Sequence, residues 1–183
     1  MKVLPTRLSF EVNLTDVMDF YEIKVRMCAN GSNMVQGQDF TVSYAPTVDA
    51  DSFRLSLNIS ASDDMVVVFI DASNDFQTDV ISDPNKRIYV TLHTMNMEWF
   101  RARFPNHSIS ICKNSKELIM QSLRNIQGTK DAGYEWYQLL ASIFNELEWK
   151  PNTTYKGVVV YIKDDITAYI NLATDDILFM LNS

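Results

Sequence analysis

The C-terminal part of the chain constrains the fold most, because three apolar segments follow one another with very short connections. The segments TYKGVVVYI, TAYINLA and ILFML are separated only by KDD and TDD. Connections this short join neighbouring antiparallel strands, whereas parallel strands need a crossover of a dozen or more residues. The sequence therefore predicts an antiparallel meander whose turns carry two acidic pairs, Asp164-Asp165 and Asp175-Asp176.

A single amphipathic helix is predicted over residues 130–149. Its apolar residues recur at the spacing i, i+3, i+4, i+7, i+8, i+11, which places them on one helical stripe: Trp136, Leu139, Leu140, Ile143, Phe144 and Leu147. Pro151 lies just beyond this stripe and helps to stop the helix.

The N-terminal half predicts further strands. Residues 8–14 and 20–27 alternate apolar and polar side chains, which indicates a β-hairpin with one half-buried face. The run MVVVFID, residues 65–71, is typical of a strand buried on both faces, and residues 86–92 predict another strand. Strands with a long helix between them, followed by a meander, indicate an α+β fold with helices packed on one face of an antiparallel sheet.

Residues 47–61 allow two interpretations. Phe53, Leu55, Leu57 and Ile59 fall on a period of two, which predicts a strand. The acidic residues Asp49 and Asp51, by contrast, would suit the start of a helix.

Composition excludes several classes of protein. The chain has 183 residues and is 46% hydrophobic, enough for a real core in one domain. Its formal net charge of −7 argues against a self-sufficient nucleic-acid binder. Two cysteines and two histidines are too few for a zinc site or a disulfide framework, which favours a reducing compartment. No apolar run is long enough to predict a membrane span.

The two acidic turns do not carry equal weight. Asp164 follows Lys163 in a polar turn and fits a solvated loop. Asp175 and Asp176 stand between apolar residues, where two adjacent carboxylates repel each other and lose hydration. A divalent cation would relieve that cost, and Asp71 at the end of MVVVFID could complete its ligand set. An ordinary hairpin tip is the alternative.

The order of several motifs resembles the reverse transcriptase of copia-type LTR retrotransposons over nearly the whole chain. YEIKVRMCANGSNMVQGQDF is similar to the family's YKARLVARGYxQxxGxDF, and SYAPTVDADSFRLSLNIS to its TFAPVxxxxSIRxLLAxA, which is helical there. FIDASNDFQTD resembles QMDVKTAFLNG, SLRNIQGTKDAGYEWYQLL resembles SLYGLKQAPRAWYxxL, and INLATDDILFM stands in place of xxVYVDDxxx. The resemblance favours a helix over residues 48–61.

This resemblance implies a polymerase-type fingers and palm domain over residues 1–183, lacking the thumb and RNase H parts. The fingers hairpin would span residues 7–28, and the palm strands and catalytic hairpin residues 65–76 and 155–181. Asp71, Asp175 and Asp176 would be the catalytic residues and would hold two Mg²⁺ ions, with Mn²⁺ as the alternative. The implied activity is RNA-directed DNA polymerisation by two-metal nucleotidyl transfer.

The resemblance also assigns residues to the incoming deoxynucleotide. Arg26 and, more weakly, Lys24 would contact its phosphates, and Phe76 would exclude a ribose 2′-hydroxyl. Gln127 and Gly128 would line the nucleotide pocket at the entrance to the long helix, next to Lys130. The predicted nucleotide-binding set thus consists of Arg26, Lys24, Phe76, Gln127, Gly128 and Lys130. A solvated strand charge, a core phenylalanine and a surface lysine are the ordinary alternatives for Arg26, Phe76 and Lys130.

Several positions depart from the family pattern. Asp75, Asp131 and Tyr134 replace its usual Ala, Gln and Arg, and Ala173 replaces the aromatic residue before the paired aspartates. A catalytically inactive, retrotransposon-derived binding or self-assembling module is therefore the alternative function.

The implied partners are an RNA or DNA template-primer and dNTPs, without a membrane. Because the sequence ends directly after the strand that follows Asp176, we expect an exposed sheet edge or apolar surface and hence a homo-oligomer, most simply a dimer. The expected location is the cytoplasm, with the nucleus as the alternative.

Overall fold

A computed structural model describes residues 3–14, 19–72, 87–92, 98–99, 102–103, 105, 118–152, 154–155 and 157–182. The chain divides into two compact units, each made of two chain segments. The first unit contains Met1–Thr41 and Val80–Ala132, and the second contains Val42–Asp79 and Gly133–Ser183.

The first unit contains a four-stranded mixed sheet. Its strands are β1 (Val3–Leu14), β2 (Phe20–Ala29), β4 (Ile88–Leu92) and β5 (Leu118–Ser122). Their order in the sheet is β2-β1-β4-β5. β1 pairs antiparallel with β2 along most of its length and parallel with β4 near its start. The main core of this unit consists of buried apolar side chains near that start: Leu4, Ala29, Met34, Val90 and Ile126.

The predicted N-terminal hairpin is present, but its predicted half-buried face is not. From Leu8 to Leu14 of β1 and from Phe20 to Val25 of β2, the apolar side chains are exposed. The alternation correctly predicts a strand. It does not tell whether another element covers the apolar face, and no element within the described residues does.

The second unit contains a five-stranded antiparallel sheet and two helices. The strand order is β3-β9-β8-β7-β6. The strands are β3 (Val66–Asp71), β6 (Lys150–Pro151), β7 (Val158–Lys163), β8 (Ile166–Ala173) and β9 (Asp176–Leu181), and the helices are α1 (Ala50–Ser62) and α2 (Ala132–Glu146). The predicted meander of β7, β8 and β9 and the predicted long helix α2 are confirmed.

The core of the second unit forms where the apolar stripe of α2 meets the sheet. Trp136, Leu140 and Phe144 of α2 pack with buried side chains of β7, β8 and β9, namely Val159, Ile170, Leu172 and Ile177. Trp149 packs against this cluster and stacks on Tyr161 with ring centroids 4.9 Å apart. Four residues of the stripe predicted from spacing, Trp136, Leu139, Leu140 and Phe144, therefore lie on the face that packs on the sheet, whereas Ile143 and Leu147 are exposed.

Helix α1 confirms the helical interpretation of residues 48–61 and rejects the strand. Asp49 is its N-cap, and the Asp49 carboxylate accepts hydrogen bonds from the amide and hydroxyl groups of Ser52. The buried residues of α1 are Ser52, Ser56 and Ser60, whereas Phe53 and Leu55 are exposed. The period of two among the apolar residues misled the strand interpretation because serines, not apolar residues, form the buried face.

Strand β3 also differs from its prediction. MVVVFID was expected to be buried on both faces, but β3 is the edge strand of its sheet and all six residues are exposed. A continuous apolar run reports β-propensity, and it does not report the position of the strand within the sheet. β9, the strand after the Asp175-Asp176 turn, lies between β3 and β8 and is not an edge.

The α+β fold class is confirmed. None of the helices in the described part of the chain is long and apolar enough to span a membrane.

Candidate active site

The end of β3 and the start of β9 bring two of the predicted carboxylates together. Asp71 is the direct partner of Asp176 in the antiparallel register of these strands. Next to this pair, the amide N–H of Ala72 donates to the carbonyl oxygen of Asp175 at 2.9 Å. Directly opposed residues of an antiparallel pair project from the same face, with Cβ atoms about 4.5–5.5 Å apart. The register therefore places the exposed side chains of Asp71 and Asp176 side by side.

Asp175 lies in the turn between β8 and β9. The two strands pair as far as Ala173 and Asp176, which leaves Thr174 and Asp175 as the central turn residues. Within the described ranges, no three side chains of His, Cys, Asp or Glu converge to form a metal-binding group. Of the three predicted ligands, Asp71 and Asp176 thus form a cross-strand pair, and Asp175 is the sequence neighbour of Asp176.

The donor chemistry of the pair is compatible with Mg²⁺. This ion prefers oxygen ligands and commonly binds through one or two protein carboxylates, with water and substrate phosphates at its other positions. Two carboxylates held on neighbouring strands also repel each other, and a cation between them would remove that repulsion. The pair formed by Asp71 and Asp176 supplies the number of protein ligands that such an ion needs.

Helix α2 fixes the turn that carries Asp175. The indole Nε1–H of Trp136 donates to the carbonyl oxygen of Thr174 at 2.8 Å, while the rest of the Trp136 side chain lies in the core. The spacing of apolar residues predicts only that Trp136 lies on an apolar stripe, and this contact is not predicted by it. The available signal was the indole N–H itself, because a buried tryptophan usually finds a hydrogen-bond acceptor.

Gln127 and Gly128 lie against the end of β2. The amide N–H of Ala29 donates to the carbonyl oxygen of Gln127 at 2.8 Å, and that of Gly31 donates to Gly128 at 3.1 Å. Gly128 has a φ of +97°, and a Cβ atom there would collide with the carbonyl oxygen of Ala29. The predicted close approach of the backbone at Gly128 is thus observed toward Ala29.

Lys130 contacts the same part of the first unit. Its Nζ donates to the carbonyl oxygen of Met34 at 3.0 Å and lies 5.6 Å from the centre of the Phe40 ring. Lys130 remains exposed. Its ammonium group is therefore held in a defined place while staying accessible to an anion.

Arg26 and Lys24 lie on the polar face of the β1–β2 hairpin. The Arg26 guanidinium forms a hydrogen-bonded ion pair with the Glu11 carboxylate. That hydrogen bond, and then the charge of Arg26, hold the pKa of Glu11 below its ordinary value, with a smaller contribution from the charge of Lys24. Lys24 is the direct cross-strand neighbour of Glu11. Both cations thus lie beside the same carboxylate, that of Glu11.

The remaining predicted positions divide by unit. Phe76, and Asp75 beside it, lie outside the described residues, so their roles stay predictions. The three aspartates belong to the second unit, and Lys24, Arg26, Gln127, Gly128 and Lys130 belong to the first. The structure thus brings together Asp71 and Asp176 in one unit, and Gln127, Gly128 and Lys130 around the β2 end in the other.

The predicted solvated turn at Asp164-Asp165 is exposed, as expected. Lys163, however, donates from Nζ to Glu148 Oε2 at 2.9 Å. Its ammonium is therefore engaged with Glu148.

The chain matches the family model described as "Reverse transcriptase (RNA-dependent DNA polymerase)" over residues 1–183. It has no significant match among curated proteins or among solved structures. The family match covers the whole sequence and confirms the resemblance drawn from the motif order.

Proposed function

The chain belongs to the reverse transcriptase (RNA-dependent DNA polymerase) family, and from this premise we propose that it is the polymerase core of a copia-type retrotransposon. Its substrates would be a primer annealed to an RNA or DNA template, and dNTPs. The observation that carries this proposal is the direct pairing of Asp71 with Asp176 across β3 and β9. That pairing supports a common site for carboxylates that are more than a hundred residues apart in the sequence.

In this proposal Asp71 and Asp176, with Asp175 beside them, hold Mg²⁺ or Mn²⁺. When bound, such ions make a primer 3′-hydroxyl more acidic and neutralise charge on the departing pyrophosphate. The protein's own part is to fix the two carboxylates on paired strands. The hydrogen bond from the Trp136 indole to the Thr174 carbonyl oxygen restrains the turn between β8 and β9.

The first unit would supply the cations for the nucleotide phosphates. Lys130 is exposed and held by Met34, so its ammonium can meet a phosphate without a large loss of side-chain freedom. Arg26 must first exchange the Glu11 carboxylate for a phosphate, because it forms an ion pair with Glu11 in this structure. We therefore assign the stronger phosphate contact to Lys130, with Arg26 and Lys24 as secondary contacts and Phe76 as the sugar-selecting residue.

Primer extension on an RNA template tests the proposal. Asp71→Asn and Asp176→Asn should each lower the extension rate by about 100-fold or more, because each removes a charged ion ligand. Asp165→Asn is the matched control: it changes an exposed aspartate in the other acidic turn and should leave the rate unchanged. Wild-type extension that survives both Asp71→Asn and Asp176→Asn would contradict the assignment.

The second candidate function is a catalytically inactive, retrotransposon-derived binding or self-assembling module. It is favoured by Ala173, which stands where the family has an aromatic residue before the paired aspartates. Absence of extension by the wild-type protein with either Mg²⁺ or Mn²⁺ would select this candidate. For either function, we propose a cytoplasmic location, with the nucleus as the alternative.

A further inference from the structure

The β1–β2 hairpin separates its polar and apolar side chains onto opposite faces. On the polar face, Glu11 pairs with Arg26, and Asn13 Nδ2 donates to Glu22 Oε1 at 2.8 Å. These pairs join residues of adjacent strands, so several polar groups of this face are bonded within the hairpin itself.

The other face carries only apolar side chains, and they are open to solvent. We call it the apolar hairpin face and define it by Leu8, Phe10, Val12, Leu14, Ile23 and Val25. Phe10 lies opposite Val25 and Val12 lies opposite Ile23, so these side chains are adjacent across the strands. Each of the six is between 42% and 65% exposed, and Phe20, opposite Leu14, is 63% exposed. Contiguous apolar surface of this kind marks an interaction site in a soluble protein.

We propose that the apolar hairpin face binds the same face of a second copy of this chain. At roughly 100 Å² of exposed surface per side chain, the six side chains offer each copy on the order of 600 Å². Two such faces would together bury about 1,200 Å², the lower end of the range for specific, stable interfaces. A two-fold pair of hairpins packed as a sandwich, with their sheets about 10 Å apart, would bury it.

Charge placement favours a second copy over a nucleic acid as the occupant. Nucleic-acid affinity comes mainly from Lys and Arg that neutralise phosphates, and the cations of the two strands, Arg7, Lys24 and Arg26, lie on the opposite face. Two uncharged faces can meet without burying an unpaired ion, whose burial would be costly. The apolar hairpin face is therefore complementary to itself. This inference does not depend on the polymerase activity.

The oligomeric state of the purified chain tests this inference. By light scattering on a sizing column, at roughly 1–100 µM to span a micromolar dissociation constant, the wild type should become dimeric as concentration rises. Phe10→Lys and Phe10→Glu should each remain monomeric over this range. Phe69→Lys is the matched control: Phe69 is 62% exposed and Phe10 is 65% exposed, but Phe69 lies on β3 of the other unit. The Phe69→Lys variant should dimerise as the wild type does.

Mixing the two charged variants identifies the occupant. If the face meets itself, Phe10→Lys and Phe10→Glu should form a mixed dimer at concentrations where each alone is monomeric. Circular dichroism should show that each variant keeps the wild-type secondary structure. A wild type that stays monomeric, a Phe69→Lys variant that dissociates as fully as Phe10→Lys, or a mixture that stays monomeric would each overturn the proposal.

Discussion

Thr174 adopts a backbone conformation that its side chain disfavours. It is a β-branched residue with a φ of +60° at the first central position of the β8–β9 turn. A left-handed conformation costs a residue with a Cβ atom about 1–2 kcal/mol, whereas glycine loses about 0.5–1 kcal/mol of entropy on folding. Thr174→Gly should therefore raise the free energy of unfolding in urea by up to about 1 kcal/mol. Thr167→Gly, inside β8, should lower it, and a Thr174→Gly protein less stable than wild type would contradict the argument.

Gly128 combines an unfavourable φ with a close contact. Gly37 has a similar φ of +82°, but a Cβ atom there would meet nothing within 4 Å. Gly37→Ala should thus cost only the conformational strain of about 1–2 kcal/mol. Gly128→Ala should cost about 2–5 kcal/mol, because overpacking against Ala29 is added to the same strain. Equal losses of unfolding free energy in the two variants would show that the contact with Ala29 is unimportant.

At the scale of the element, the N-cap of α1 gives the second unit a pH dependence. The hydrogen bond from the Ser52 hydroxyl, and then that from the Ser52 amide, lower the pKa of Asp49. Since the folded-state pKa lies below the unfolded value of about 3.9, this stabilisation is present above that value and is lost as pH falls through the folded pKa. Asp49→Ser keeps a capping oxygen without the charge. The urea midpoint of the wild type should exceed that of Asp49→Ser at pH 6, and the difference should shrink as the pH falls through the folded-state pKa of Asp49.

The serine stripe of α1 contains a second test at this scale. The Ser56 hydroxyl lies 2.7 Å from the Ser52 carbonyl oxygen of its own helix and 3.2 Å from Oδ1 of Asn171, which is buried in β8. Ser60 is also buried, and its hydroxyl donates to the Ser56 carbonyl oxygen within the same helix. Ser56→Ala should cost about 1–2 kcal/mol of unfolding free energy because the Asn171 amide loses a partner. Ser60→Ala should be nearly neutral, and the reverse order would contradict the role of Asn171.

A helix or strand could be predicted from the sequence where its residue pattern is compatible with only one kind of structure. The apolar stripe of α2 and the short turns of the β7–β9 meander were sufficient, because burial against the sheet and short chain connections leave few alternatives. The exposure of β3 and of the hairpin could not be predicted, since exposure depends on whether another element packs on these strands. The proximity of Asp71 to Asp176 could be expected from the position of Asp71 at the end of a strand and from the motif order, but the register could not, because strand register between distant segments is not encoded locally.

At the scale of the whole molecule, the predicted metal ligands and the predicted phosphate contacts belong to different compact units. Asp71, Asp175 and Asp176 belong to the unit whose core contains Ile170, and Lys130 to the unit whose core contains Leu4. Each unit has its own buried apolar cluster, so each can lose stability through its own core. Binding of an ion and binding of a nucleotide phosphate should then respond to different core substitutions.

Tryptophan fluorescence can separate these responses, because Trp136 and Trp149 belong to the second unit and Trp99 to the first. In a Trp99→Phe background the signal reports the second unit. Ile170→Ala should lower its thermal midpoint, since truncating such a core residue costs about 2–5 kcal/mol, whereas Leu4→Ala should leave it nearly unchanged. Mg²⁺ should raise the midpoint in Leu4→Ala as in the parent, and Asp71→Asn should remove that rise. If Leu4→Ala lowered the midpoint as much as Ile170→Ala, the two units would unfold as one.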